Sequence, residues 1–269
     1  MDIRDYLQRI NYQGSQEPTL QTFQALHQAH LLAVPFENLS IHMEQPIILQ
    51  EEALFRKIVH QRHGGFCYEL NGLFAWLLRH LGFQVTLLSA GVSKSDGHFG
   101  PEFDHLTLLI HQLSGADWLA DVGFGDSFLL PLRFEPELEQ DGGDGRVYRL
   151  IKRLDTRKEK IQHEYWMMQQ FSGAQWQSQY RFSLQSHELT DFIERCEYQQ
   201  TSPESHFTQN RICSLATLTG RVSLSDMRLI ITAHQERKEQ MLTSEKEYLT
   251  ALSEHFGIVL EDVHSVKKC

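Results

Sequence analysis

The sequence has few cysteines, no long apolar run and no excess of basic charge. Only four cysteines occur among 269 residues, and they are widely scattered. This scatter excludes a disulfide framework and indicates a reducing compartment. No stretch of about 18 apolar residues exists, so no transmembrane helix is predicted. The first residues are too polar for a secretory signal peptide. We therefore expect a cytoplasmic protein that does not associate with a membrane.

The charge balance also limits the partners. The formal net charge is −10, with 41% hydrophobic and 22% charged residues, as is ordinary for a soluble globular enzyme. No basic stripe is present to neutralise nucleic-acid phosphates, so a nucleic-acid partner is not expected. The length permits one large domain or two to three small ones.

The pattern of apolar residues changes once along the chain. Helical periodicity dominates the first 80 or so residues, and short segments rich in Val, Leu, Ile and Thr follow. The predicted helices cover 2–10, 19–34, 51–60, 67–81 and 244–256. The predicted strands cover 83–90, 105–112, 118–122, 147–152, 164–169, 176–184, 211–218, 221–224 and 228–232.

Cys67 is the first candidate for chemistry. It follows Gly64 and Gly65 and opens a helix whose apolar residues recur at i, i+3, i+4 and i+7. A lone cysteine is usually a small core residue. At a helix N-terminus, however, free N–H groups and the helix dipole favour the thiolate. The position therefore predicts a nucleophile, and with a protonated histidine beside it the thiol should have a pKa below the free value of about 8.5.

Such a thiol needs a base and a group that orients the base. His105 begins a strongly apolar strand, and Asp121 lies inside another. A buried carboxylate needs a partner. If these two strands are neighbours, a carboxylate–imidazole hydrogen bond forms easily, which makes Cys67, His105 and Asp121 a candidate triad.

A glycine-rich turn, Gly123-Phe124-Gly125, follows Asp121 directly. Such a turn lets backbone approach a ligand closely and can present N–H groups to phosphate. A simple turn between strands explains the same pattern.

Four motifs together resemble the arylamine N-acetyltransferases, in the order and spacing of that family. The resemblance covers nearly the whole chain. The motifs are VPFENL (34–39), RHGGFCYELN (62–71), DHLTLL (104–109) and LADVGFG (119–125).

The resemblance implies an α+β fold with a cysteine-protease-like core. Its implied parts are a helical bundle with the nucleophilic cysteine (1–83), an antiparallel β-barrel with the histidine and aspartate (84–195) and an α/β lid (196–269). Cys67 would be the acyl-accepting nucleophile, His105 its ion-pair partner and Asp121 the orienting carboxylate.

The same resemblance implies the ligands. Acetyl-CoA is the expected co-substrate, with Gly123, Phe124 and Gly125 beside the pantetheine and phosphates of coenzyme A. Phe36 and Phe124 are expected to line the pocket for an aromatic amine or hydrazine acceptor. The expected setting is xenobiotic metabolism, with the protein a monomer or a homodimer.

One position departs from the family pattern. An arginine usually precedes the two glycines and is expected to brace the loop through the glutamate that corresponds to Glu37. His63 stands there in this sequence. Because histidine is shorter and mostly neutral at pH 7, this brace is in question.

Two other functions compete with acetyl transfer by a ping-pong mechanism. A Cys-His-Asp amide hydrolase or a transglutaminase-like enzyme uses the same three groups. A metal-binding protein is suggested by His60, His63 and Cys67. A structural zinc site needs four ligands, and no second close pair supplies the fourth. No metal is therefore expected.

Overall fold

The structure is a computed structural model, and it describes residues 1–155, 163–234 and 236–260. The N-terminal part is helical. A π-helical turn, Arg56–His60, continues α4, where a single α-helix was predicted. The elements of this part are α1 (Ile3–Arg9), α2 (Leu20–Ala33), β1 (Phe36–Glu37), α3 (Leu39–His42), α4 (Glu51–Phe55) and α5 (Cys67–His80).

Helix α5 is the centre of the helical part. Its residues 67–78 are all buried, because the helix packs against both the other helices and the neighbouring sheet. The Glu69 carboxylate accepts a hydrogen bond from the Phe66 main-chain N–H at 3.1 Å, which satisfies one free donor at the helix start. Gly82 ends the helix at φ +89°, in the left-handed conformation that glycine favours.

The middle of the chain forms an eight-stranded antiparallel sheet that curls into a nearly closed barrel. Its strand order is β5-β4-β3-β2-β9-β8-β7-β6. The Gln140 side chain joins the two edge strands by accepting from the Arg133 N–H at 2.7 Å and donating to the Arg133 carbonyl at 3.0 Å. The strands are β2 (Val85–Val92), β3 (His105–Leu113), β4 (Ala116–Ala120), β5 (Leu132–Arg133), β6 (Gln140–Asp141), β7 (Val147–Asp155), β8 (His163–Phe171) and β9 (Trp176–His187).

The last part combines short helices with a second sheet of order β1-β10-β11-β12-β13. Strand β1, from the N-terminal part, thus completes this sheet. A 3₁₀ turn, Leu189–Phe192, leads into it. The remaining elements are α6 (Ile193–Thr201), α7 (His206–Gln209), β10 (Ile212–Thr217), β11 (Gly220–Ser225), β12 (Arg228–Ala233), β13 (Glu236–Met241) and α8 (Glu245–Phe256).

The predicted α+β fold, with helices, an antiparallel barrel and a final α/β part, is confirmed. Every predicted strand is present within a few residues, whereas β1, β5, β6, β13 and the helices α3, α6 and α7 were not predicted. Strand β13 has the sequence ERKEQM and is exposed throughout, so it lacks the apolar alternation that identifies strands. In the described part of the chain, no helix is long and apolar enough to cross a membrane.

Candidate active site

Cys67 is the first residue of α5, and only 4% of its surface is exposed. The two glycines before it bring the chain close to the Pro35–Glu37 loop, since a side chain at Gly64 would overlap the Pro35 carbonyl. The Glu37 N–H donates to the Gly65 carbonyl at 2.9 Å. The predicted tight entry into the helix is therefore confirmed.

The structure brings the three predicted triad residues together. Strands β3 and β4 are antiparallel neighbours, and Asp121 follows β4 directly instead of lying inside it. The His105 Nε2 lies 2.6 Å from Asp121 Oδ2, and both side chains are buried. The Cys67 thiol interacts with the His105 ring.

The His105–Asp121 pair is a buried ion pair. Burial lowers the pKa of His105, but the Asp121 carboxylate and the Cys67 thiol outweigh it and raise the pKa to about 10. Burial raises the pKa of Asp121, but His105 and the hydrogen bonds of Asn71 and Gly123 outweigh it and hold this pKa below 3.8. The ring is thus protonated and the carboxylate ionised at neutral pH.

The expectation of a lowered Cys67 pKa is wrong in its sign. Burial is the largest influence and raises the pKa of the thiol, while His105 and the main-chain N–H of Leu106 lower it without overcoming burial. The sequence argument included the helix terminus and the histidine but could not include the loss of water around the sulfur. The thiolate therefore depends on the His105 charge.

Two buried residues that hold Asp121 were not predicted. The Asn71 amide donates to Asp121 Oδ1 at 2.9 Å and to the Leu106 carbonyl at 2.7 Å, and its oxygen accepts from the Val122 N–H at 2.9 Å. Asn71 stands four residues after Cys67, on the same helix face, which is a signal that the sequence contains.

His27 binds the Asp121 main chain from another side. Its Nε2 accepts from the Asp121 N–H at 3.1 Å, and its Nδ1 donates to the Leu129 carbonyl at 2.9 Å. Burial lowers the pKa of His27 to about 4, so the ring is neutral at pH 7 and can accept the hydrogen bond. His27 lies in α2, far away in sequence, and no pattern indicates this role.

The Gly123-Phe124-Gly125 turn lies directly against the nucleophile. A Cβ at Gly123 would lie 2.8 Å from the Cys67 Cα, so only glycine allows this approach. The turn is fixed from the last sheet, because Arg221 donates to the Gly125 carbonyl, to Ser214 Oγ at 2.9 Å and to Asp126 Oδ1 at 3.1 Å. All three parts of the fold therefore meet at this site.

Aromatic rings surround the His105 imidazole. The Phe124 and Tyr180 rings each lie 5.1 Å from it, centroid to centroid. A Cβ placed on Gly125 would lie 3.3 Å from the Phe36 ring, so this ring lies beside the turn. Phe36 and Phe124 are both partly buried, so their rings form part of an apolar wall near the thiol.

The loop brace that was expected to join Glu37 to residue 63 uses another cation. Glu37 pairs with Lys57, whose Nζ lies 3.5 Å from Glu37 Oε1. His60 faces Asp5 at 3.6 Å instead of Cys67. Among the residues that the structure describes, no group of three His, Cys, Asp or Glu side chains is arranged to hold a metal ion.

Comparison with known proteins identifies the family. The family model described as N-acetyltransferase matches residues 19–265. The arylamine N-acetyltransferase / N-hydroxyarylamine O-acetyltransferase of Salmonella typhimurium is 33% identical over 264 residues, which cover 97% of this chain and 90% of that protein.

Solved structures agree. The arylamine N-acetyltransferase of M. tuberculosis superimposes with a TM-score of 0.87 at 31% identity, covering 99% of this chain and 96% of that one. The Mycobacterium marinum arylamine N-acetyltransferase in complex with CoA has a TM-score of 0.84 at 31% identity, covering 99% and 95%. The chain is therefore an acetyltransferase that belongs to the arylamine N-acetyltransferase family.

Proposed function

We propose that this enzyme transfers an acetyl group from acetyl-CoA to aromatic amines or hydrazines through an acetyl-Cys67 intermediate. The observation that carries the proposal is the continuous set of contacts from the Cys67 thiol through His105 to the buried Asp121. A nucleophile, its base and the group that orients the base are the parts that covalent acyl transfer requires.

The first half-reaction forms the acetyl-enzyme. The Cys67 thiolate, balanced by protonated His105, attacks the thioester carbonyl. The bond between the acetyl carbon and the CoA sulfur breaks, and the CoA sulfur takes the proton from His105. Exchange of one thioester for another is close to balanced in free energy, so acetyl-Cys67 should persist long enough to be trapped.

The second half-reaction releases the acetyl group. The acceptor nitrogen attacks the acetyl carbon, His105 takes the proton of that nitrogen, and the Cys67 thiolate leaves. Aromatic amines suit this step because their nitrogens are weakly basic and remain neutral at pH 7. The order of events gives ping-pong kinetics, with parallel lines in initial-rate plots.

The aromatic rings and the glycine-rich turn beside Cys67 suggest where the two substrates bind. We assign Phe36 and Phe124 to the aromatic acceptor and Gly123, Phe124 and Gly125 to coenzyme A. The complex of the Mycobacterium marinum relative with CoA supports a CoA thioester as the donor. The predicted division into segments 1–83, 84–195 and 196–269 remains part of this proposal, and residues 261–269 lie outside the described residues.

Intact mass spectrometry after mixing the protein with acetyl-CoA alone tests this function. We expect a mass gain of one acetyl group, which disappears when aniline is added. The Cys67→Ala variant should show no gain. Cys196→Ala is the matched control, because Cys196 is also a buried free thiol, and it should acylate as the wild type does.

Absence of an adduct and of CoA release in the wild type would overturn the proposed donor. Release of free acid or ammonia from peptide amides, without acetyl-CoA, would support the hydrolase or transglutaminase-like alternative. A cytoplasmic location, a role in xenobiotic metabolism and a monomeric or dimeric state stay predictions.

A further inference from the structure

A buried ion cluster lies beside the nucleophile turn and takes no part in the chemistry proposed above. The Lys57 Nζ donates to Glu69 Oε1 at 2.8 Å and lies 3.5 Å from Glu37 Oε1. Glu37 is 0% exposed and Glu69 is 1% exposed, and the Lys57 side chain is 15% exposed. One ammonium group therefore faces two carboxylates that have almost no contact with water.

Each carboxylate uses its other oxygen to hold a main-chain N–H. Glu37 Oε2 accepts from Leu39 at 2.6 Å, at the start of α3. Glu69 Oε2 accepts from Phe66 at 3.1 Å, at the start of α5. The first bond fixes the end of the loop that packs against the Gly64-Gly65 turn, the second fixes the residue directly after that turn, and Lys57 connects the two carboxylates.

The Lys57 main chain belongs to the same assembly. Its carbonyl, in the π-helical turn, accepts from the His63 N–H at 3.1 Å. Lys57 thus contacts the segment before the two glycines, the loop that carries Phe36 and the helix that begins with Cys67. Because two buried carboxylates without a cation repel each other and are costly to desolvate, removal of the ammonium should separate these segments.

We infer that Lys57 is a positioning residue, which fixes Cys67 and the Phe36 loop relative to each other by pairing with Glu37 and Glu69. His63 is not needed for this brace, because the cation comes from within the preceding π-helical turn. The inference rests on the proposed nucleophilic role of Cys67.

The test uses a variant that keeps the charge of the cluster. Lys57→Met/Glu37→Gln removes one positive and one negative group, so the net charge of the cluster stays at −1, and the new amide oxygen can still accept from the Leu39 N–H. Because Glu69 stays buried without a cation, we expect the melting temperature to fall by several degrees while unfolding stays cooperative. The rate of Cys67 acetylation by acetyl-CoA should fall about tenfold or more, since small displacements of reacting groups are costly.

Three further measurements separate positioning from folding. Alkylation of Cys67 by iodoacetamide needs no bound donor, so it should stay within about threefold of the wild-type rate. The KM for aniline should rise, because the Phe36 loop moves. Lys57→Arg keeps the cation and should acetylate within about threefold of the wild type. The matched control is Lys152→Met, which removes an exposed lysine paired with Glu164 at 2.7 Å, and it should change neither rate.

The outcomes are distinct. Wild-type acetylation by the double variant, or a Lys57→Arg variant as slow as the double variant, would overturn the positioning role alone. A wild-type enzyme that is not acetylated by acetyl-CoA would overturn the proposed function and this inference with it.

Discussion

Two buried ionic groups flank the nucleophile, and they differ in their balance of charge. On the barrel side, one imidazolium faces one carboxylate, and both Asp121 oxygens accept hydrogen bonds. On the helical side, one ammonium serves two carboxylates; among the described residues Glu37 Oε1 has no hydrogen-bond partner and lies 3.5 Å from the Lys57 Nζ. In the barrel pair every carboxylate oxygen accepts a hydrogen bond, whereas the helical cluster holds two carboxyl groups for one ammonium.

This difference separates two tasks. The barrel pair contains an imidazolium that interacts with the Cys67 thiol, so its proton can move to and from a sulfur during the reaction although its pKa is about 10. In the helical cluster, burial lowers the pKa of Lys57, but Glu37 and Glu69 outweigh it and raise this pKa above its usual value of 10.5. Its charge is thus constant near pH 7. We expect the barrel pair to control reactivity and the helical cluster to control position.

The sharpest test of this contrast is Asp121→Asn. The asparagine carries no charge to raise the His105 pKa and presents an amide that cannot hold the same ring tautomer. We expect acetylation of Cys67 to fall about a thousandfold or more in rapid-mixing mass spectrometry.

A second His–Asp pair in the same sheet provides the control. The His111 Nδ1 lies 3.4 Å from Asp117 Oδ2, with both side chains at least 30% exposed. Asp117→Asn should leave acetylation within about twofold, since exposed pairs contribute little. If Asp121→Asn acylates as fast as Asp117→Asn, the barrel pair does not control reactivity.

A smaller effect is expected from Asn71→Ala, which removes three buried hydrogen bonds around Asp121. The free energy of unfolding should fall by about 2 kcal/mol, and acetylation by about tenfold. Urea unfolding and the acetylation rate measure the two effects. Asn210→Ala is the control, because the Asn210 amide hydrogen-bonds to His206, in the short helix that ends one residue earlier, and it should cost less than about 1 kcal/mol. An equal loss of unfolding free energy in the two variants would show that the hydrogen bonds of Asn71 around Asp121 contribute no more than ordinary surface bonds.

The two groups should also differ in how they make stability depend on pH. His105 has an ordinary pKa of 6.5 and a pKa of about 10 in the folded protein. The folded state therefore holds this proton more tightly, so its stabilisation is complete below pH 6.5 and is lost as pH rises toward 10. One proton contributes a slope of at most about 1.4 kcal/mol per pH unit.

Urea unfolding between neutral pH and about pH 10 measures this slope. Asp121→Asn removes the main cause of the raised His105 pKa, so its stability should vary less with pH than that of the wild type. Lys57→Arg should keep the wild-type slope. A steeper dependence in Asp121→Asn than in the wild type would show that His105 is not the group that loses the proton.

Much of the site was open to prediction from the sequence because its groups follow simple local rules. Cys67 is marked by two glycines and a helical repeat, and His105 and Asp121 are polar residues at the ends of apolar strands. Neighbouring strands in the chain often pair, which explains why the His105–Asp121 contact could be expected. The catalytic roles of these residues stay a proposal.

The groups that hold the site were hidden for two reasons. His27 and Lys57 act through partners in other elements, and the positions of those partners depend on packing. A histidine or a lysine in a helical segment gives no sign in the sequence of such a distant partner. The raised pKa of Cys67 was hidden because it depends on burial, which a helix pattern does not quantify. Asn71 could have been found, because it stands four residues after Cys67 and therefore on the same face of the helix.

The bonds that build the site also span very different lengths of chain. The Lys57–Glu69 bond joins residues 12 apart, the His105–Asp121 bond 16 apart, the Asn71–Asp121 bond 50 apart and the Arg221–Gly125 bond 96 apart. A chain made from its N-terminus can therefore close the brace before the barrel exists. The His105–Asp121 pair needs the chain as far as residue 121, and the Gly125 turn beside it gains its Arg221 contact only after residue 221 has been made.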